Sequence, residues 1–398
     1  MDDAGEPAVG TGAAGYRRDR FTWTAFGALG AFGFLNAVLG PALPYLRATE
    51  HISYVVGAAH QVAFAVGGGL AGLIATHVGG SPGRAVIVRV GLVAAAVAGL
   101  GVGYGNQVMV TVVAALFVSL LGTSAVIRLW AALSDAHGER RTVALTEGEV
   151  SVSLGGITAP LLVGGLAATA LSWRFAFVVG TVLVFVAVAV TATAAIPTET
   201  PEAPERPVDA GTSPRTRRPT PTLVLVFAVV ALEFALSFWL ASYLDDSVDL
   251  SRNLAVSMVA GLYAANLVGR LAASRLARRI TTARVLGVSI GVSLVGLPIL
   301  LVATNAGVAA LGVVVAGAGI GAAFPLTSSL HVGVSPRPAD AAMGEILAVA
   351  AIGQILGPLV VGAIAQPTGL RIGLLVLPFL ALLAAASLAQ SVGSGRSE

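Results

Sequence analysis

Four ionisable side chains stand inside long apolar stretches of this chain: Arg128, Glu149, Glu233 and Arg270. A charge in lipid costs roughly 3 kcal/mol or more unless it is paired or hydrated. Groups so placed therefore point first to a pathway for ions or solutes. Glu233 lies between Leu232 and Phe234, and Ser237 follows one turn on, on the same helical face. Its carboxyl group could take up and release a proton; the plainer reading is a protonated carboxyl bonded to a neighbouring helix. Arg128 and Glu149 come from consecutive apolar runs. Helical rise puts both roughly 8 Å inside the same boundary, where a salt bridge would offset their desolvation. Glu233, Glu149 and Arg128 are the proton-coupling candidates.

Weaker polar positions could line a cavity. Tyr263, Asn266 and Arg270 fall at i, i+3 and i+7, one polar stripe on an apolar helix. Asn36 precedes a break expected at Pro41 and Pro44, and His60 and Gln61 sit in the next run. Trp239 and Tyr243 follow Glu233 along the chain, and Gln354 lies in a later apolar run. Trp and Tyr also anchor helix ends at a membrane surface, so their assignment stays open.

Other chemistries lack their parts. There is no cysteine, so no disulfide, thiol nucleophile or thiolate metal site. The five histidines show no ligand spacing, and no nucleophile–base set suggests an enzyme. Lysine is absent, all 23 basic residues being arginine, so no phosphate loop can form. Neither cofactor nor metal is expected, and no nucleotide or nucleic-acid partner. The glycine clusters (Gly67 to Gly69 with Gly72; Gly317, Gly319 and Gly321) read as close helix packing.

The elements that must hold these groups are membrane spans. Hydrophobic residues make up 56% of the 398, and charged residues only 11%, against about 25% in soluble proteins. Runs long enough to cross a bilayer cover 21–46, 53–76, 84–104, 107–133, 143–170, 173–196, 221–244, 253–274, 283–303, 307–331, 341–365 and 370–390. They are too long and too uniform for barrel strands. The fold class is all-α: a polytopic membrane protein of twelve transmembrane helices. The polar first twenty residues contain no removable signal. With the N-terminus inside, inner segments hold 16 arginines and outer segments 4. Both termini are therefore expected in the cytoplasm, the chain lying in the plasma membrane. Residues 197–220, rich in proline, threonine and charge, read as a flexible linker. They divide an N-terminal bundle, 1–196, from a C-terminal bundle, 221–398.

The bundles repeat each other. Tyr45-Leu46 recurs as Tyr243-Leu244, and Glu147, Gly155, Pro160 and Gly164 recur as Glu345, Gly353, Pro358 and Gly362, always 198 residues on. Internal repeats of this kind mark transporters, with the site at the repeat interface. Local patterns agree. Gly72 to Gly79 with Arg84, and Gly269-Arg270-Leu271 with Arg275, Arg278 and Arg279, stand where a glycine–arginine loop motif would. In this the chain resembles the major facilitator superfamily over nearly its whole length. Thr76 and His77 depart from the first motif copy, where the family has its acid and arginine. Gly156 to Pro160 with Gly164-Gly165, repeated as Gly353, Gly357-Pro358 and Gly362, is similar to the family's proline–glycine motif, often associated with exporters. Ala159 replaces its glycine, and Val118 stands where proton-driven drug antiporters carry an arginine. Residues 233–243 (EFALSFWLASY) with Phe324-Pro325 resemble the fucose-permease-like sugar branch.

The resemblance implies a secondary transporter working by alternating access. The expected activity is proton-coupled uptake of a sugar-like small molecule by a monomer in the lipid bilayer. The alternatives are a proton-driven drug or metabolite exporter, and a non-transporting receptor or subunit on the same scaffold. The resemblance also implies a cytoplasmic gate of Arg84, Glu147, Arg270, Arg275, Arg278 and Glu345. In it Glu345 meets Arg84, and Glu147 meets Arg275 or Arg278, when the inner side is closed. Simple stabilisation of a helix N-terminus by the two acids is the competing reading.

Overall fold

The structure is a computed structural model that describes residues 17–77, 83–197, 220–336 and 339–393. Among the described residues there are helices and no strands. In chain order they are α1 (Arg20–Ala37), α2 (Leu39–Glu50), α3 (Tyr54–His77), α4 (Arg84–Tyr104), α5 (Val108–His137), α6 (Arg141–Ala167) and α7 (Phe175–Thr191). Then follow α8 (Thr220–Asp246), α9 (Arg252–Leu276), α10 (Thr282–Leu301), α11 (Ala306–Ile320), α12 (Ala323–Val334), α13 (Ala339–Thr368), α14 (Leu370–Gly373) and α15 (Val376–Gly393). Nearly all of the expected linker lies outside the described residues.

Eleven helical runs are long and apolar enough to cross a membrane, and the 17-residue α7 is a shorter twelfth. The expected spans therefore recur, with two breaks that hydropathy does not register. The first run is α1 and α2, divided at Val38. Pro41 has no N–H for the carbonyl of Ala37, four residues back, which is where α1 ends. The tenth is α11 and α12, divided at Gly321-Ala322. Pro325 likewise deprives the carbonyl of Gly321. The first run also continues to Glu50, past the expected boundary at 46.

Small residues set how closely the helices approach. A Cβ on Gly33 of α1 would stand 2.5 Å from the Val152 carbonyl oxygen of α6. One on Gly269 of α9 would stand 2.0 Å from that of Ala318 in α11. Helices this close gain dispersion and interhelical bonding where lipid supplies no hydrophobic drive. Between the halves, α6 lies along α9 and α3 along α13. Their spacing is uneven. A Cβ on Gly164, near the α6 end away from the termini, would be 2.5 Å from Ser257 Oγ. On Gly156, two turns nearer the termini, it would be 3.9 Å from the Tyr263 ring.

Candidate functional site

The halves are tied at the face opposite the termini. Arg47, at the end of α2, reaches Asp246 Oδ2 at the end of α8 at 3.0 Å. The Tyr54 hydroxyl of α3 donates to the same oxygen at 2.8 Å. The Arg47 guanidinium lies 3.8 Å from the centroid of the Tyr54 ring. The Tyr54 amide donates to Gln366 Oε1 of α13 at 3.0 Å, and the Tyr45 hydroxyl donates to Asn253 Oδ1 of α9. Arg252 holds the neighbouring Asp245 at 2.6 Å. Trp239, fully buried, donates Nε1 to the Pro358 carbonyl at 2.9 Å and meets Tyr54 edge-on.

Toward the termini the arrangement opens. Asn36 is exposed although its neighbours in α1 are buried. The Gly33 face of α1 meets α6, and the Gly40 position of α2 meets Ser237 and Phe238 of α8. Asn36 therefore faces the space between α6 and α8. Glu233 and Ser237 on α8 and Tyr263 on α9 are half-buried. Glu149 of α6 and Arg270 of α9 meet across the halves, Nη1 to Oε2, at 3.6 Å. That is an ion pair too long for a hydrogen bond, with 39% of the Arg270 and 51% of the Glu149 side chain exposed. Arg270 Nε also donates to the Gly321 carbonyl at 3.0 Å.

The partner of Glu149 is thus Arg270, where the sequence analysis set Arg128. Arg128 Nη1 turns back to the Ser124 carbonyl of its own helix at 3.3 Å. Helical rise set the expected pair by depth alone, whereas the observed ion pair of Glu149 runs across the halves.

Three cavity candidates are occupied in packing. His60 is fully buried, its Nε2 2.9 Å from Thr111 Oγ1 and its Nδ1 3.2 Å from the Val56 carbonyl. The Tyr243 hydroxyl donates to the carbonyls of Leu300 and Leu301, at 3.0 and 3.1 Å. Asn266, with its amide oriented to satisfy both acceptors, donates to the carbonyls of Gly317 at 2.7 Å and Leu262 at 3.2 Å. Gln61 is buried in α3. Gln354 is half-buried on α13, one turn before the proline that holds Trp239.

Three of the gate candidates, Arg84, Glu147 and Glu345, have partners within their own halves, whereas Arg270 meets Glu149 of the other half. Arg84 Nη1 holds Asp135 Oδ2 at 2.8 Å and the Pro197 carbonyl at 3.1 Å. Glu147 is engaged by Arg18. Glu345 Oε2 is 3.2 Å from Nε2 of the buried His331, whose Nδ1 is 2.7 Å from Thr222 Oγ1. Arg275 and Arg278 are exposed at the end of α9 and just beyond it.

Sequence reasoning missed the Arg47–Tyr54–Asp246 cluster. A signal existed: Arg47 and Asp245 occupy repeat-related positions with opposite charge. It was not used because each side chain follows a span and looks like ordinary surface.

Comparison with known proteins identifies the family and the fold. The family model described as Major Facilitator Superfamily matches residues 25–344. A search of curated proteins gave no match. Among solved structures, a bacterial homologue of the human lysosomal transporter Spinster, inward-facing and occupied, superposes with a TM-score of 0.75 at 17% identity, over 95% of this chain and 98% of that one. A mutant of the nucleoside transporter NupG gives 0.76 at 15%, over 94% and 100%. A mutant of the peptide transporter POT in complex with sulfate gives 0.74 at 14%, over 96% of each. At such identities the likeness is one of fold.

Proposed function

Because the chain belongs to the major facilitator superfamily, and is thus a membrane transporter rather than an enzyme, we propose that it takes up a sugar-like metabolite in symport with protons. The observation that carries the alternating-access part is the contrast between the two ends. Short polar contacts join α2 and α3 to α8, α9 and α13 at one face. Toward the other, Glu149, Arg270 and Asn36 are open to solvent. On the arginine distribution, the open side is the cytoplasm, and the protein is an inward-open monomer in the plasma membrane. Residues 1–196 and 221–398 rock about the space between them, joined by 197–220. Asn36, Gln354 and Tyr263 offer neutral donors and acceptors suited to hydroxyl groups. Glu233, near mid-span, is the proton carrier.

Thermal unfolding of the purified protein against sugars and against amphiphilic drugs tests the substrate class. A ligand at a hundredfold excess over its Kd stabilises the native state by about 2.7 kcal/mol. A shift with sugars alone supports uptake; a shift with drugs alone favours the exporter to which the α6 proline–glycine pattern points. In proteoliposomes, Glu233→Gln is expected to abolish accumulation driven by a proton gradient while sparing exchange at equal concentrations. Full gradient-driven accumulation in that variant would remove Glu233 from the coupling.

A further inference from the structure

Four arginines gather where α9 gives way to α10. Arg275 lies in the last turn of α9, Arg278 and Arg279 follow in the connection, and Arg284 stands in the first turn of α10. All four are exposed. Among the described residues, none of their guanidinium groups makes an ion pair or a hydrogen bond. No acid can neutralise them from nearby in the chain, for neither aspartate nor glutamate occurs between Asp249 and Asp340. The Arg278 amide donates to the Arg275 carbonyl and the Arg279 amide to that of Leu276. Helical winding thus continues past α9 and keeps Arg275, Arg278 and Arg279 on neighbouring faces.

Water alone can satisfy an exposed arginine, but these stand beside apolar stripes. On α10, Val288 and Val295 follow Arg284 on the same face and are 52% and 59% exposed. That helix packs on α11, α12 and α15 of its own half, so the stripe looks out to lipid and not between the halves. On α9, Val268 precedes Arg275 by seven residues on the same face and is 62% exposed. From Val288 to Arg284 the helix rises about 6 Å toward the termini side. That step leads from the hydrocarbon into the headgroup layer, which is about 5–7 Å deep on each side.

The repeat supplies a contrast. Val90 on α4 stands 198 residues before Val288 and is likewise exposed. The arginines near it are used inside the protein: Arg84 holds Asp135 at 2.8 Å, and Arg89 donates to the Thr191 carbonyl at 3.1 Å. Arg140 and Arg141, at the α5–α6 connection, directly follow Glu139. Topology asks only for positive charge on this side of the membrane. It does not ask for four cations in one place with no counter-charge.

We propose that the α9–α10 connection binds an anionic phospholipid of the leaflet on the termini side. Arg275, Arg278, Arg279 and Arg284 hold its phosphate, and its acyl chains lie along Val288 and Val295. Guanidinium forks pair with phosphate oxygens. The first-turn amides of α10, whose N-cap Thr281 makes no side-chain hydrogen bond, add further donors. Four cations exceed the charge of a single phosphate, so a headgroup carrying two, as in diphosphatidylglycerol, fits best. The site does not depend on which solute the protein carries.

The absence of cysteine lets one fluorophore be placed at a time. Full-length protein labelled at Val288→Cys, or at the repeat-related Val90→Cys, is reconstituted in phosphatidylcholine bilayers. Quenching by brominated-chain diphosphatidylglycerol, against brominated phosphatidylcholine, gives the lipid preference at each position. We expect a preference of more than tenfold for diphosphatidylglycerol at Val288 and close to none at Val90. Each arginine beside an anionic lipid is worth about a factor of five. Arg278→Gln with Arg279→Gln should therefore lower the preference at Val288 roughly fivefold per charge removed. The reading at Val90 should stay unchanged, as an intact fold requires. Equal preference at the two positions, or a preference at Val288 that survives the double variant, overturns the proposal. Inorganic phosphate separates a lipid site from one for a soluble anion. Phosphate and chloride at equal ionic strength should weaken the preference alike, by screening. Release of the lipid by phosphate alone would assign the arginines to a free phosphate-bearing solute and overturn the lipid reading.

Discussion

The two ends of the molecule join their halves by different chemistry. At the face away from the termini, Asp246 accepts from both Arg47 and Tyr54, the guanidinium lies on the Tyr54 ring, and Trp239 is sealed beneath. These contacts are short, directional and partly dehydrated, so each reinforces the others. Toward the termini, three ion pairs each lie inside one half: Arg84 with Asp135, Glu147 with Arg18, Glu345 with His331. The pair that crosses, Glu149 with Arg270, is long and exposed. One end holds the halves together. The other keeps charges ready without binding the halves firmly, as a state open on that side requires.

The comparison is broken most strongly at Asp246. Arg47→Ala with Asp246→Asn removes a charge-assisted bond and the stacking on Tyr54, together worth about 2 kcal/mol. At 1.4 kcal/mol per factor of ten, the ratio of closed to open molecules at that face should fall by more than tenfold. The readout is accessibility of a single cysteine introduced at Ser237. The exchanged pair, Arg47→Asp with Asp246→Arg, should recover part of the closure; no recovery would mean that the charges do not pair directly.

The uneven gap between α6 and α9 gives the next test. Gly164→Ala places a methyl group against Ser257 and Asn253, and overpacking of this kind costs about 1–3 kcal/mol. Gly156→Ala enters open space beside Tyr263 and should cost nothing, or gain the roughly 0.5–1 kcal/mol that alanine has over glycine in a helix. Melting temperatures that fall equally for both would contradict the wedge-shaped gap. Trp239→Phe should cost about 1 kcal/mol by removing the indole hydrogen bond that the Pro358 carbonyl accepts in addition to its helical one. A melting temperature unchanged by it would discount that bond.

The smallest effect lies at the start of α1. Asp19 caps that helix, accepting from the Thr22 amide at 2.8 Å and from the Thr22 hydroxyl at 2.6 Å. Desolvation pushes its carboxyl up, but the Thr22 bonds and nearby His137 outweigh this and hold it below the ordinary aspartate value. A lowered folded-state pKa contributes stability that is present above about pH 4 and lost as pH falls below it. Asp19→Ala should therefore cost about 1 kcal/mol at neutral pH. The difference from wild type should shrink in acid; a difference independent of pH would argue against the cap.

How much of this the sequence discloses depends on which coordinate is asked for. Depth is legible, because apolar length sets it. Azimuth is not. Tyr243 and Asn266 carry the polar groups expected of a cavity wall, yet their helices turn them onto carbonyls of α10 and α11. His60 is likewise matched to Thr111. Only the identity of the neighbouring helix decides such cases, and pairs such as Glu149 with Arg270 lie too far apart in the chain for any local pattern. The breaks were half legible. Pro41 and Pro44 announce the first, whereas the loss of a helical donor for the Gly321 carbonyl at Pro325 shows only once the α11 and α12 boundaries are known.

The shortest span has a consequence beyond the protein. With 17 residues, α7 is about 26 Å long, against a hydrocarbon thickness of about 30 Å. It turns Val182, Leu183, Phe185, Val186 and Val190 outward. Acyl chains beside it must compress or tilt to meet its ends, at a modest cost for each ångström of mismatch. The molecule therefore carries a thin sector in its lipid collar, and its surroundings will select for shorter or more disordered chains on that flank.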